Sequence, residues 1–269
     1  MAEAWDAGVV GLEEREAGEG AVLLILYARA GQGEAVRETL VKALSGEAQV
    51  AHPVPEPEVD WSIAWRRGHG AIEISSRLAV RPPFARFEPR KGQACIVVEP
   101  GQAFGTGSHE STRLALELLD ALETERVQGA RTLDVGCGSG VLALAALALG
   151  AGSALGFDRD LHAAHAAFAN AHANQRAGQL RVFAGPLEAL AGPPFDLVLV
   201  NLLRTELLPL VEGLARLTRG GGTLIASGLL RAERSEVCGR FRASGFRVDG
   251  ERGSTDASGE RWLGIVMRR

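Results

Sequence analysis

From residue 131 onward, short apolar runs alternate with stretches of helical spacing, and this alternation limits the fold more than any other feature of the chain. Residues 131–136, 153–158, 180–185, 195–201 and 222–227 read as strands, and residues 140–149, 160–174, 204–218 and 231–243 as helices. Strands that are apolar along their whole length need cover on both faces, and helices threaded between them provide it. The pattern therefore predicts an α/β fold built on a doubly wound, mostly parallel sheet. Two last strands, near residues 246–248 and 261–268, are joined through the turn-rich stretch Gly-Ser-Thr-Asp-Ala-Ser-Gly, so the final strand is expected to run antiparallel.

The first part of the chain follows a different pattern. Residues 1–20 are acidic and rich in Gly and Ala, and read as a peripheral strand-turn segment. Residues 21–29 form an apolar run that reads as a buried strand. In residues 33–44, Ala35, Val36, Leu40, Ala43 and Leu44 recur at helical spacing. A proline-rich loop at 52–57 follows, then short elements at 61–65 and 71–80, which Arg81-Pro82-Pro83 ends. The expected organisation is a small α+β domain over residues 1–80, a linker at 81–100 and the α/β domain at 101–269.

Composition narrows the class. With 46% apolar and 23% charged residues the chain is globular. Its longest wholly apolar stretch, residues 141–149, is nine residues, against the roughly 18 a membrane span needs. The acidic start is unlike a targeting leader. Cys95, Cys137 and Cys238 make neither a disulfide framework nor a zinc pattern, so a cytoplasmic location is expected. A net charge of −4 argues against broad nucleic-acid binding. His162, His165 and His172 share one predicted helix without further ligands, which reads as a solvated face, and no metal is expected.

Four features carry the chemistry. Leu133-Asp134-Val135-Gly136-Cys137-Gly138-Ser139-Gly140 lies between a strand and a helix, where glycines allow a tight turn and close approach of backbone to a ligand. Its G-x-G-x-G spacing fits a pyrophosphate-binding dinucleotide site less well than G-x-G-x-x-G would. Asp158 ends the next strand, at the position suited to ribose hydroxyls, although Asp158 or Asp160 could equally cap the helix that follows. Asn201 ends the apolar strand Phe195-Asp196-Leu197-Val198-Leu199-Val200-Asn201, which puts a carboxamide at the mouth of a site beyond the carboxyl ends of the strands. The Gly-rich segment from Gly101 to Thr112 precedes a helix carrying Leu114, Leu116, Leu118 and Leu119, and could close over a ligand. Cys137, inside the glycine loop, is expected to pack rather than react.

The strings AFGTGSHEST, TLDVGCGSGVLALAALALGA, ALGFDRD, FDLVLVNLL and SGLL resemble the bacterial ribosomal-protein methyltransferase family, which methylates a large-subunit stalk protein, protein eleven. The resemblance covers roughly residues 60–269. It implies a Rossmann-like seven-stranded domain that binds S-adenosylmethionine, preceded by a small α+β domain that recognises the substrate. It also implies a protein N-methyltransferase acting on lysine side chains and the N-terminal amine of a ribosomal large-subunit protein. By the same resemblance Thr112 contacts the cofactor, Gly136 and Gly138 lie against it, Asp158 holds its ribose, and Asn201 sits near the reactive methyl and positions the amine. Where the family usually has Thr-His-Pro-Thr-Thr, this chain has Ser108-His109-Glu110-Ser111-Thr112, and the proline of Asp-x-Asp-Pro is replaced by Leu161. The alternative is a methyltransferase acting on another protein or a small molecule. Base amino-methylases use an Asn/Asp-Pro-Pro-aromatic motif, whereas Leu202, Leu203 and Arg204 follow Asn201 here and offer no aromatic platform.

Overall fold

The computed structural model describes residues 5, 7–16, 22–44, 48–55, 70–101 and 109–269. The short element expected at 61–65 lies outside them, as do residues 102–108 of the Gly-rich segment. The chain forms two compact units, Met1–Ala64 and Trp65–Arg269.

In the first unit, β1 (Val9–Glu16) pairs antiparallel with β2 (Val22–Ala28), and α1 (Gly33–Leu44) covers them. Val36 and Leu40, one helical turn apart, are buried with Val9, and Leu26 and Ala28 pack against them. The helix expected over 33–44 is present, and a strand lies within 21–29, but it is not buried as expected: Leu23 and Leu24 are exposed and residues 25–28 half-buried. The acidic first segment carries β1, part of this sheet.

The second unit begins with a three-stranded sheet of β3 (Ile72–Glu73), β4 (Leu78–Arg81) and β5 (Ala94–Val97). The domain boundaries therefore differ from those expected. Residues 70–80 belong with the larger unit, and the stretch 81–100 expected as a linker carries β5. The cause is burial: Leu78, Val80, Ile96 and Val98 are part of the same apolar cluster as the helices of the larger unit. The prolines at 82 and 83 interrupt this small sheet without separating domains.

The main sheet has seven strands in the order β11-β12-β10-β9-β6-β7-β8. They are β6 (Arg131–Val135), β7 (Ser153–Asp158), β8 (Leu180–Ala184), β9 (Phe195–Asn201), β10 (Thr218–Leu230), β11 (Arg247–Thr255) and β12 (Arg261–Arg268). The pairs of β6, β7, β8, β9 and β10 are parallel, and β12 runs antiparallel to both β10 and β11. The helices are α2 (Glu110–Asp120), α3 (Thr124–Val127), α4 (Val141–Ala148), α5 (Leu161–Ala173), α6 (Arg204–Leu207), α7 (Val211–Leu217) and α8 (Arg234–Ala243). Residues 141–147 of α4 are all buried, which explains why that helix shows no polar face. Leu133, Leu197 and Leu199 are wholly inaccessible in the centre of the sheet. Each such side chain contributes about 1.5–3 kcal/mol on burial.

Two expected elements change form. The helix expected over 204–218 is split into α6, a 3-10 turn at Leu208–Leu210 and α7. Pro209 lacks the N–H that a continuous helix would need there. The strand expected at 222–227 extends to Leu230 because Gly228, at φ +83°, makes a bulge where the β10–β12 register shifts between Ala226 and Leu229.

The chain runs from β6 out to β8 on one side and then returns to build β9 and β10 on the other. The reversal lies between β6 and β9, and in open α/β sheets ligands bind beyond the carboxyl ends of the strands at that point.

Candidate active site

A cleft of about 440 Å³ opens there, lined by Gly136, Gly138, Asp158, Asp160 and Asn201 together with His109, Ser111, Leu202, Leu203, Glu206, Gly228 and Trp262, among others. Four residues expected to form the site, Gly136, Gly138, Asp158 and Asn201, thus meet on one cleft, although Gly136 and Asn201 are 65 positions apart.

The glycine loop is a left-handed run: Gly136, Gly138 and Gly140 have φ of +64°, +50° and +78°. A Cβ on Gly136 would stand 2.7 Å from the Leu202 side chain, so both backbone geometry and the crossing of Leu202 call for glycine. Asp134, just before the loop, is wholly buried, and its Oδ2 accepts the N–H of Ala143 at 3.0 Å, capping the first turn of α4 from outside the helix. Burial pushes this carboxyl up to about 7; the Ala143 hydrogen bond opposes the shift and the Asp158 charge adds to it. Cys137 is buried against Gly156, and burial followed by the Asp134 and Asp158 charges pushes its thiol up, as suits a packing residue.

The Asp134 carboxyl makes stability depend on pH. Its ordinary value is 3.8 and its folded value about 7. Between these values the unfolded chain ionises it freely and the folded chain does not, so its contribution to stability falls as pH rises through that window. Asp134→Asn keeps an oxygen for Ala143 and carries no charge. Its stability should match wild type near pH 4 and exceed it by roughly 4 kcal/mol above about pH 8 in denaturant titrations. A difference independent of pH would contradict the buried ionisation.

Asp158 closes the end of β7. Its Oδ2 accepts from the N–H of Gly138 at 2.9 Å and its Oδ1 from that of Asp160 at 3.0 Å, which leaves each oxygen a further lone pair toward the cleft. The helix cap is Asp160, whose Oδ1 accepts from His162 N–H at 2.9 Å. Of the two acids, Asp160 is thus the one that caps the helix.

Asn201 is held from behind. Its Nδ2 donates to Thr112 Oγ1 at 3.1 Å, and its Oδ1 is enclosed and, among the described residues, has no hydrogen-bond partner. Thr112 is fully buried and does not line the cleft. It sits one layer deeper than the expected contact with a ligand and fixes the carboxamide. The neighbouring Ser227 hydroxyl donates to Ser111 O at 2.8 Å, and Leu202 N–H donates to Ser227 O at 3.2 Å, so β10 ties the start of α2 to the end of β9.

Trp262, Gly228, Glu206 and Ala163 line the cleft and escaped the sequence reading. Trp262, on β12, stands edge-on to His109 with ring centroids 4.7 Å apart, and its Nε1 donates to Asp256 Oδ2 at 2.8 Å. Hydrogen bonds from Ser258 and Trp262 hold the Asp256 carboxyl down at about 2. An aromatic wall therefore exists, supplied by a distant strand rather than by residues after Asn201. His109 caps α2, its Nδ1 accepting from Ser111 N–H at 3.2 Å, so the neutral ring carries its proton on Nε2.

The sheet order, the glycine turn after β6 and the acid ending β7 define a Rossmann-like methyltransferase fold. A family model described as Ribosomal protein L11 methyltransferase (PrmA) matches residues 12–269. A relative from Syntrophotalea carbinolica named ribosomal protein L11 methyltransferase is 43% identical over 187 residues, covering 70% of this chain and 61% of its own. One of the same name from Synechococcus sp. is 36% identical over 219 residues, covering 80% and 70%. The crystal structure of a ribosomal protein L11 methylase from Lactobacillus delbrueckii subsp. bulgaricus superposes with a TM-score of 0.67 at 30% identity, over 75% of this chain and 99% of that one. The chain belongs to the ribosomal protein L11 methyltransferase family.

Proposed function

We propose that the chain transfers methyl groups from S-adenosylmethionine to amine nitrogens of ribosomal protein L11, on lysine side chains and the N-terminal amine, in the cytoplasm. The observation that carries this reading is the family match over residues 12–269, together with a carboxamide, Asn201, that lines the cleft at the switch point of the sheet and is fixed at Nδ2.

The residues present fit the cofactor. The cleft has the size of small-molecule sites, commonly about 300–1,000 Å³. Gly136 and Gly138 offer backbone without side chains, and the free lone pairs of Asp158 suit two ribose hydroxyls. When bound, S-adenosylmethionine supplies a methyl on a sulfonium sulfur, already activated for attack. The protein therefore has mainly to position the amine. Asn201, which lines the cleft, positions the amine and so aims the nitrogen lone pair. As that pair forms the N–C bond, the electrons of the S–C bond remain on sulfur. A lysine amine has a free pKa near 10.4, and the apolar side chains of Leu202 and Leu203 favour its neutral form by desolvation. The extra proton passes to water.

Asp158→Ala should weaken adenosylhomocysteine binding by about 1–3 kcal/mol. Unchanged affinity in calorimetry would remove the ribose assignment.

The first unit is assigned the selection of the protein substrate. Deleting residues 1–64 should leave adenosylhomocysteine binding intact and abolish methylation of folded L11. A truncated chain that methylates L11 as fast as the full chain would contradict this division of labour.

A further inference from the structure

The cleft carries four titratable side chains, His109, Asp158, Asp160 and Glu206, and three of them are committed to the fold. Asp158 holds two main-chain N–H groups, Asp160 caps α5 and His109 caps α2. Glu206 differs. It is exposed, and although its Oε2 accepts Leu203 N–H at 3.3 Å in a capping box at the start of α6, its Oε1 makes no hydrogen bond among the described residues. No cation neutralises it there: Arg204, two positions away, is engaged by Glu233 at 3.0 Å and Glu236 at 3.2 Å. Leu203, between Glu206 and Asn201 in the chain, leaves 57% of its surface in solvent although it lines the cleft.

We propose that Glu206 is a specificity-determining residue that receives the protonated amine at the mouth of the cleft and selects cationic side chains. This rests on the amine-methyltransferase reading of the site. A lysine arrives as an ammonium ion on a four-carbon stem. An unpaired carboxylate beside an exposed leucine matches both parts: the charge meets Glu206 and the methylenes lie along Leu203. Further in, the cleft is lined by the uncharged Asn201, so the ammonium leaves the carboxylate, gives its proton to water and presents a lone pair. Methyl transfer then moves positive charge from sulfur to nitrogen, and a carboxylate on the nitrogen side favours that movement. The carboxylate acts on capture and on the charge of the acceptor, not on the cofactor.

The test uses the full chain, S-adenosylmethionine and purified ribosomal protein L11. Glu206→Gln keeps an oxygen for Leu203 N–H and removes only the charge; Glu206→Lys reverses it. Glu206→Gln should lower kcat/KM for L11 by about tenfold, chiefly through KM, and Glu206→Lys by more. Added salt should depress wild-type kcat/KM and affect Glu206→Gln less. Adenosylhomocysteine affinity should stay within about twofold of wild type, since the cofactor residues are elsewhere. Equal kcat/KM and equal salt dependence in Glu206→Gln would overturn the proposal, as would loss of cofactor binding, which would mark a structural role. A wild-type chain that binds adenosylhomocysteine but methylates no amine would overturn the amine reading and this proposal with it.

Discussion

Asn201→Ala should lower methyl transfer by about a hundredfold or more, while adenosylhomocysteine still binds within about fivefold of wild type. The reason is the place of the carboxamide: Asn201 lines the cleft and its Nδ2 is tied to Thr112, so alanine removes the group proposed to orient the nucleophile. Thr112→Val removes the tie while keeping the shape of a fully buried side chain. If Thr112 acts through Asn201, the double variant should be no slower than Asn201→Ala alone, whereas independent roles would multiply. Equal turnover in Asn201→Ala and wild type would remove the positioning role.

Gly228→Ala should be the most damaging single methyl group in the larger unit. The new Cβ would lie 2.5 Å from Leu202 O, 2.8 Å from Leu202 C and 2.9 Å from Leu202 N, on a backbone at φ +83°. Backbone atoms held in the sheet cannot step aside as a side chain end can. The residue pushed is the neighbour of Asn201, so stability and turnover should fall together. Gly221, at φ +75°, is the internal comparison, because a Cβ there meets nothing within 4 Å. Gly221→Ala should cost only the backbone strain, about 1–2 kcal/mol. Gly228→Ala should cost a further 1–3 kcal/mol from overpacking. Equal losses in denaturant titrations would mean that the close approach of Leu202 matters little.

The parts of the site that could be read from sequence are those written into one strand and the turn after it. The glycine run follows β6, Asp158 ends β7 and Asn201 ends β9, and a parallel sheet places such strand ends on one edge. The order of the strands is not local, and the residues that depend on it were missed. Trp262 reaches the cleft because β12 inserts antiparallel between β10 and β11. Gly228 lines the cleft because β10 bulges beside β9. Its signal was the Ser-Gly pair at the end of an apolar strand, which marks a bulge only once the pairing is known. That Thr112 lies buried against Asn201 was likewise not legible: its sequence neighbours show the start of a helix, not which side of that helix faces Asn201.

The fold differed from the expectation where local pattern and packing disagree. Apolar residues at 72–80 and 94–98 are too few to announce a sheet, and the Arg-Pro-Pro between them reads as an ending. Burial against the helices of the larger unit makes them part of it. β11 is longer than the three residues its apolar pattern suggested, because much of it is a polar edge strand held by pairing with β12.

The most direct measurement is mass spectrometry of purified ribosomal protein L11 after incubation with the full chain and isotopically labelled S-adenosylmethionine, with fragmentation to locate the label. The account predicts added mass in multiples of one methyl, on lysine side chains and the N-terminal amine. Tight binding of adenosylhomocysteine with no label on any nitrogen of L11 would contradict it, and would leave the fold and the cofactor site standing with a different acceptor.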